Sequence, residues 1–318
     1  MNAPLDALRL RAAVNALFRL YFAERDVLEV ETPILSQAGN TEPNIESFTT
    51  VFSGHADAGT RMRWLRTSPE YPLKRLLAAG VGDCYELGRV FRNGEAGGRH
   101  NPEFTLLEWY RVGWDHLRLA EEAVELVQRA LGLIRKQADV VSLSYRELFQ
   151  SGLGFDPFEA SEEALRSALG ELSLDGDGLE RDDWLDLLIT HRLQPHFPPD
   201  RITVVLDWPA TQCALARIRP GQPPVAERFE LYLGQHEIAN GYHELLDPIE
   251  QRARFQRDLV TREGRIAHLP AVDERLLAAM AQGLPACAGV ALGVDRLLMA
   301  MLGTDRIADV LPFDFAHA

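Results

Sequence analysis

Cysteine is scarce in this 318-residue chain: Cys84, Cys213 and Cys287 are far apart, odd in number and outside any Cys-x-x-Cys pair. Neither a disulfide framework nor a zinc knuckle is expected, and a reducing cytoplasm is the fitting compartment. The N-terminal segment lacks an apolar h-region, and no uninterrupted apolar run approaches the roughly 18 residues that span a bilayer, so secretion and membrane insertion are not expected. Positive charge is in deficit as well. Thirty-three Lys plus Arg against 47 Asp plus Glu leave a net charge of -14, which opposes binding to a polyanion such as tRNA unless basic residues are concentrated locally. Gly-x-Gly-x-x-Gly and Walker A sequences are both missing, as are repeats and low-complexity tracts.

What is present is enough for one large core, or a core with a modest insertion: 46% of the residues are hydrophobic. Leu10, Val14, Leu17, Phe18 and Tyr21 fall at helical spacing, and Val27 to Pro33 reads as a strand halted by proline. Ser68 is placed to cap a helix that starts at Pro69 and stops at Gly80, with Glu70 in its first turn. Residues 84 to 91 and 104 to 112 predict an antiparallel pair joined by a long polar loop. Period-two alternation in the second strand puts Phe104, Leu106, Glu108 and Tyr110 on one face. A helix is expected from Asp115. Residues 142 to 200 are expected to be a helical insertion without a chemical motif, with a surface loop at Leu174 to Leu179. Apolar β candidates follow at 202 to 206, 228 to 239 and 286 to 293, the last running into a helix at Asp295. Strands recurring without regular βαβ alternation predict an α+β fold with a mainly antiparallel sheet flanked by helices.

Three clusters carry chemistry. From Phe91 to Tyr110, Arg92, Arg99 and His100 occupy a loop ahead of the strand bearing Phe104, Glu108 and Tyr110. Guanidinium forks suit phosphate oxygens, an aromatic face suits a planar base, and an acid with a phenol suits a cation. The alternative is an ordinary hairpin with a solvated basic tip. In the second cluster Glu230, Glu237 and Glu244 recur every seven residues across strands interrupted by a glycine turn. Carboxylates gathered there need hard metal ions or an ammonium group; amphipathic strands with solvated acids are the alternative. His236 and His243 lack the His-Glu-x-x-His spacing, so catalytic zinc is not expected. The third, Gly289 to Arg296, is a small-residue strand leading into a helix, where glycine permits close approach of a ligand and Arg296 can lie over a base. Simple strand–helix packing is the alternative.

Taken together and in order, these segments resemble the class II aminoacyl-tRNA synthetases, with lysyl-like wording. Val27 to Pro33 resembles motif 1, Phe91 to Tyr110 motif 2 and Gly289 to Arg296 motif 3, so the resemblance covers almost the whole chain. It implies the class II catalytic core, homodimerisation through motif 1, and ATP as substrate. Arg92 and Arg296 are the implied catalytic arginines. ATP contacts are implied for Arg92, Asn93, Gly94, His100, Asn101, Phe104, Glu237, Ile238, Gly293 and Arg296, and magnesium ligation for Glu230 and Glu237. Ser68 to Glu70 resembles the segment whose acid receives the backbone-side amino group. Glu108, Tyr110 and Glu244 match positions that receive the distal ammonium, with Asn240 and Tyr242 lining the same pocket. One departure is notable: the usual Arg-x-Glu reads Arg92-Asn93-Gly94, with Glu95 displaced by one.

Motif 1 begins within about thirty residues of Met1, so no N-terminal OB-fold is expected, in contrast to lysyl-tRNA synthetases. A stand-alone core of this kind resembles the elongation factor P lysine ligases. That implies (R)-β-lysine or lysine as amino acid and a lysine of elongation factor P as acceptor, with tRNA unexpected. Ala291, where lysyl-tRNA synthetases resemble one another in having glycine, adds a methyl group beside the amino-acid backbone. It would disfavour an α-amino group by roughly 1 to 3 kcal/mol. A minimal tRNA-lysylating enzyme and a non-catalytic sensor are the remaining readings.

Overall fold

The computed structural model describes residues 3–170, 178–263 and 268–318, so residues 174–177 of the expected surface loop lie outside the described part. Helix α1 (Leu5–Ala23) buries Val14, Phe18 and Tyr21 of the predicted stripe together with Phe22, while Leu10 and Leu17 are half-buried against the same core. The strand after it is shorter than Val27 to Pro33: β1 is Leu28–Glu29 only, parallel to β5 (Cys84–Phe91). Val30 N still donates to Tyr85 O, but Thr32 then turns its N–H and hydroxyl to the Glu86 carboxylate and leaves the ladder. A small sheet not foreseen in the sequence follows, β2 (Leu35–Ser36), β3 (Thr49–Val51) and β4 (Met62–Leu65), in the order β2-β4-β3.

Helix α2 (Glu70–Ala78) starts one residue later than expected, because Ser68 Oγ accepts from the Glu70 N–H and leaves Pro69 in the capping position. Gly80, with φ +86°, ends it as predicted. β5 and β6 (Glu103–Val112) form the expected antiparallel pair. Asp115 caps α3 (His116–Gly132), whose apolar side packs beneath the sheet. Before the insertion comes a strand the sequence reading missed, β7 (Asp139–Ser144), parallel to β8 (Arg201–Pro209). Between them lie α4 (Tyr145–Leu153), α5 (Glu162–Ala168) and α6 (Arg181–Leu188), packed through Tyr145, Phe149, Trp184 and Leu188 against Val205 and Trp208.

The short β9 (Ile218–Arg219) pairs with β10 (Val225–Leu233), and Gly234, at φ +55°, lies in the turn leading to β11 (His236–His243). Helices α7 (Pro248–Arg262) and α8 (Glu274–Gly283) precede β12 (Cys287–Gly293) and α9 (Val294–Leu302). The main sheet runs β1-β5-β6-β12-β11-β10-β8-β7 with β9 beside β10, and is antiparallel except at its two outer pairs. One face carries α1, α3 and α9 over the main core. The other is left open at its centre.

Candidate active site

On that open face lies a cavity of about 830 Å³, walled by β6, β12, β11 and β10, by α2 and by the α6 region. Alternation along β6 turns Phe104, Leu106, Glu108 and Tyr110 inward, and sends Leu107 and Trp109 into the core behind. On β10 it turns Arg228, Glu230 and Tyr232 inward. β11 needs a device to follow: Asn240, Tyr242 and Glu244 share one face, whereas Glu237 has the opposite parity. A bulge lies between Leu231 opposite Ala239 and Tyr232 opposite Glu237. It resets the alternation, so Glu237 lines the cavity with the others.

At the deep end are Glu70, Glu108 and Glu244. Ser68 Oγ donates to Glu108 at 2.6 Å and the Tyr110 hydroxyl donates to its other oxygen at 3.0 Å. Burial, and after it repulsion from Glu70, pushes the Glu108 carboxyl up to about 8. Sequence reasoning missed the cation set among these acids: Lys74 Nζ is 2.6 Å from Glu70 and 2.6 Å from Glu244. Burial opposes its charge, but Glu244 and Glu70 reverse that effect and hold the ammonium above the ordinary lysine range. Its signal was available, since Glu70 and Lys74 are i and i+4 on one helix. Asn240 donates to the Tyr242 hydroxyl at 3.1 Å and accepts from Arg228 at 3.2 Å.

Ala291 stands between Glu108 on β6 and Asn240 on β11, its direct neighbours across the ladder. Gly289 differs from its sequence reading. A Cβ there would lie 2.2 Å from the Tyr110 ring and 2.7 Å from Glu244, so the glycine makes room for those side chains rather than for a ligand.

At the other end, the Arg92 guanidinium lies 5.1 Å over the Phe104 ring, and its Nε is buried with no hydrogen-bond partner among the described residues. Arg296 contacts Glu237 at 3.1 Å and donates to His100 Nε2 at 2.8 Å. An arginine cannot accept, so Nε2 is the acceptor. Burial and then Arg296 lower the His100 pKa, consistent with a neutral ring. Ile238 and Gly293 also line this end.

Three residues of the expected ATP set are set back from the cavity or engaged by the protein. Asn93 is held to Glu46 by its backbone and its side-chain amide, outside the cavity lining. Gly94 does not line it either, but its φ of +79° turns the chain and brings Glu95 to the cavity, 3.5 Å from Arg92. Asn101 reaches the lining, yet its amide donates to Glu103 O and accepts from Phe315 N. The same loop is tied to the C-terminal segment by Ile307 N to Gly98 O and by Arg99 to Asp305.

Glu230 meets Arg228 and the Tyr232 hydroxyl, and Arg228 rests 4.2 Å over Trp208. Burial and then Glu237 push the Glu230 carboxyl up to about 7. Glu230 and Glu237 both line the cavity, and carboxylate oxygens are the donors that a hard divalent cation takes.

A model of the family tRNA synthetases class II (D, K and N) matches residues 3–316. The "Elongation factor P--(R)-beta-lysine ligase" of Klebsiella pneumoniae (strain 342) is 46% identical over 320 residues, 100% of this chain and 97% of that protein. Proteins of the same name from Yersinia enterocolitica serotype O:8 and Mannheimia succiniciproducens are 45% and 44% identical, each over 100% of this chain and 97% of the relative. With the antiparallel sheet, the paired arginines and the acidic pocket in place, the chain belongs to the class II tRNA synthetases of the D, K and N group.

Proposed function

We propose that this protein uses ATP to activate (R)-β-lysine, or lysine, as an aminoacyl-adenylate and transfers it to a lysine of elongation factor P. One observation carries the amino-acid side of this reading: Glu70, Glu108 and Glu244 share a pocket in which Lys74 is the paired cation. Once a cationic substrate draws the proton from Glu108, three carboxylates against one ammonium leave two negative charges, the complement of an amino acid with two ammonium groups. A neutral amino acid would leave buried acids unpaired, so charge itself selects. The acceptor is supported by the relatives that align over nearly their full length under that name.

In the first step the substrate carboxylate attacks the α-phosphorus of ATP in line, forming the mixed anhydride and releasing pyrophosphate. Arg92 and Arg296 neutralise charge gathering on the phosphate oxygens. Phe104 offers the adenine a stacking face. Magnesium entering with ATP would be held by Glu230 and Glu237 and would supply further charge neutralisation. In the second step the ε-amine of the acceptor lysine attacks the carbonyl carbon and AMP leaves. No protein side chain becomes covalently attached, so catalysis rests on positioning and electrostatics.

Homodimerisation is part of the same proposal. Leu20 on α1, Leu28 on β1 and Ile34 and Leu35 just beyond are exposed, large apolar side chains of the kind a second copy would cover. A cytoplasmic location accompanies a role in translation; among the described residues no helix is long and apolar enough to cross a membrane.

The deciding experiment combines the purified protein with ATP, either amino acid, and elongation factor P or unfractionated tRNA. Expected is a mass gain on the factor, larger with (R)-β-lysine. Label on tRNA alone overturns the acceptor, and absence of amino-acid-dependent ATP–pyrophosphate exchange overturns the activation.

A further inference from the structure

The sheet face opposite the cavity carries a second group of reactive side chains. The alternation that turns Tyr242 and Glu244 into the cavity turns His243 away from it, and Glu227 is likewise opposite to Arg228. Helix α3 packs on that side, with His116 as its first residue. His243 Nδ1 is 2.7 Å from Glu227 Oε2, and the His243 and His116 ring centroids are 6.4 Å apart. One donor atom from each of the three residues lies within 4.8 Å of the others. His116 is the decisive member. It is 2% exposed, and neither ring nitrogen has a hydrogen-bond partner among the described residues. Buried imidazoles are ordinarily satisfied on at least one nitrogen, because a stripped polar group without a replacement partner is costly.

We propose that His116, Glu227 and His243 bind a divalent transition metal ion of the zinc class, on the reverse side of the sheet from the substrate cavity. Two imidazoles and one carboxylate are a donor set that Zn²⁺ accepts, with water in the fourth position. Donor atoms around a tetrahedral zinc stand about 3.3 Å apart, so the cluster has to contract by on the order of 1 Å, within reach of rotation of the two rings. Arg217 is the competitor: its Nε is 2.9 Å from Glu227 Oε2, but its side chain is 53% exposed and free to move into water. The metal would clamp the first turn of α3 to β10 and β11. Since β11 carries Tyr242 and Glu244 on its other face, the clamp steadies the strand that shapes the amino-acid pocket.

The test uses the full chain, stripped with a chelator and free of ATP. Zn²⁺ is titrated by calorimetry, Co²⁺ binding is followed by absorption, and thermal unfolding is recorded with and without Zn²⁺. Expected are one saturable equivalent, cobalt bands of a four-coordinate ion, and a higher Tm with zinc. His116→Phe fills the volume without a donor and is expected to weaken zinc by about tenfold or more, removing the Tm gain. Glu237→Gln, at the site for the ATP-borne ion, is expected to retain both. Arg217→Ala removes the competitor and should tighten zinc binding, which keeps the idea testable should His116→Phe fold poorly. Absence of a saturable equivalent, survival of binding in His116→Phe, or unchanged affinity in Arg217→Ala overturns the proposal.

Discussion

Lys74 Nζ stands 2.6 Å from Glu244 Oε2, a pair of opposite charges both buried beneath the amino-acid pocket. The same ammonium reaches Glu70, so one lysine neutralises part of the acid that the substrate is expected to meet. Replacing it by methionine keeps the length of the stem and leaves two carboxylates uncompensated, a change expected to cost about 3–5 kcal/mol. Denaturant unfolding should show that loss, and an added diamino acid should restore more stability to Lys74→Met than to the parent protein. A variant as stable as the parent would sink the account of the pair.

The titration of Glu108 gives a pH prediction. Its carboxyl is raised to about 8 by burial and by Glu70, so the folded protein keeps a proton that the unfolded chain releases near its ordinary value of 4.5. The stability tied to this proton is full at low pH and is lost as pH rises from about 4.5 through about 8. A cationic substrate favours the ionised form. Binding below about pH 8 therefore expels a proton, and affinity should rise with pH toward that value. Calorimetry at pH 7 in two buffers of different ionisation enthalpy measures the release; identical heats would contradict it.

Ala291→Gly probes the choice between amino acids. The residue is the cross-strand neighbour of both Glu108 and Asn240. Removing its methyl should move the α-lysine to β-lysine ratio of kcat/KM toward α-lysine by about 10- to 200-fold, the span that one methyl commands in a shaped pocket. Glu244→Gln, in contrast, should raise the KM for the amino acid while leaving that for ATP near the parent value. Equal effects on the two substrates would remove Glu244 from the amino-acid pocket.

Gly289→Ala is predicted to be poorly tolerated for a reason of packing. The new methyl would lie 2.2 Å from Tyr110 and 2.7 Å from Glu244. Overpacking of this kind costs about 1–3 kcal/mol, and here the atoms displaced belong to the pocket. Thermal unfolding and amino-acid affinity should both suffer, whereas binding of ATP alone should change little.

Much of this was legible in the sequence because local rules and tertiary structure agree. The stripe of α1, the hairpin of β5 and β6, and the inward face bearing Phe104, Glu108 and Tyr110 all follow from period and turn residues. The seven-residue recurrence of Glu230, Glu237 and Glu244 shows where such reading stops. Seven is odd, and strict alternation would put Glu237 and Glu244 on opposite faces of β11. Only the bulge beside Leu231 reconciles them, and a bulge leaves no signature in composition. Lys74 was passed over because an i,i+4 acid–base pair on a helix ordinarily reads as a solvated surface pair. Burial turned it into part of the pocket. The strand β7 was missed because its alternation, Val141-Ser142-Leu143-Ser144, is only four residues long and its second half falls within the expected insertion.

The knots between Gly98 and Ile307, and between Asn101 and Phe315, join a loop from the first third of the chain to its last residues. Ile307, Val310 and Leu311 of the same segment are buried in the main core. Loosening that segment would therefore release the nucleotide loop and open the core together, which ties the order of the loop to the integrity of the packing behind the sheet.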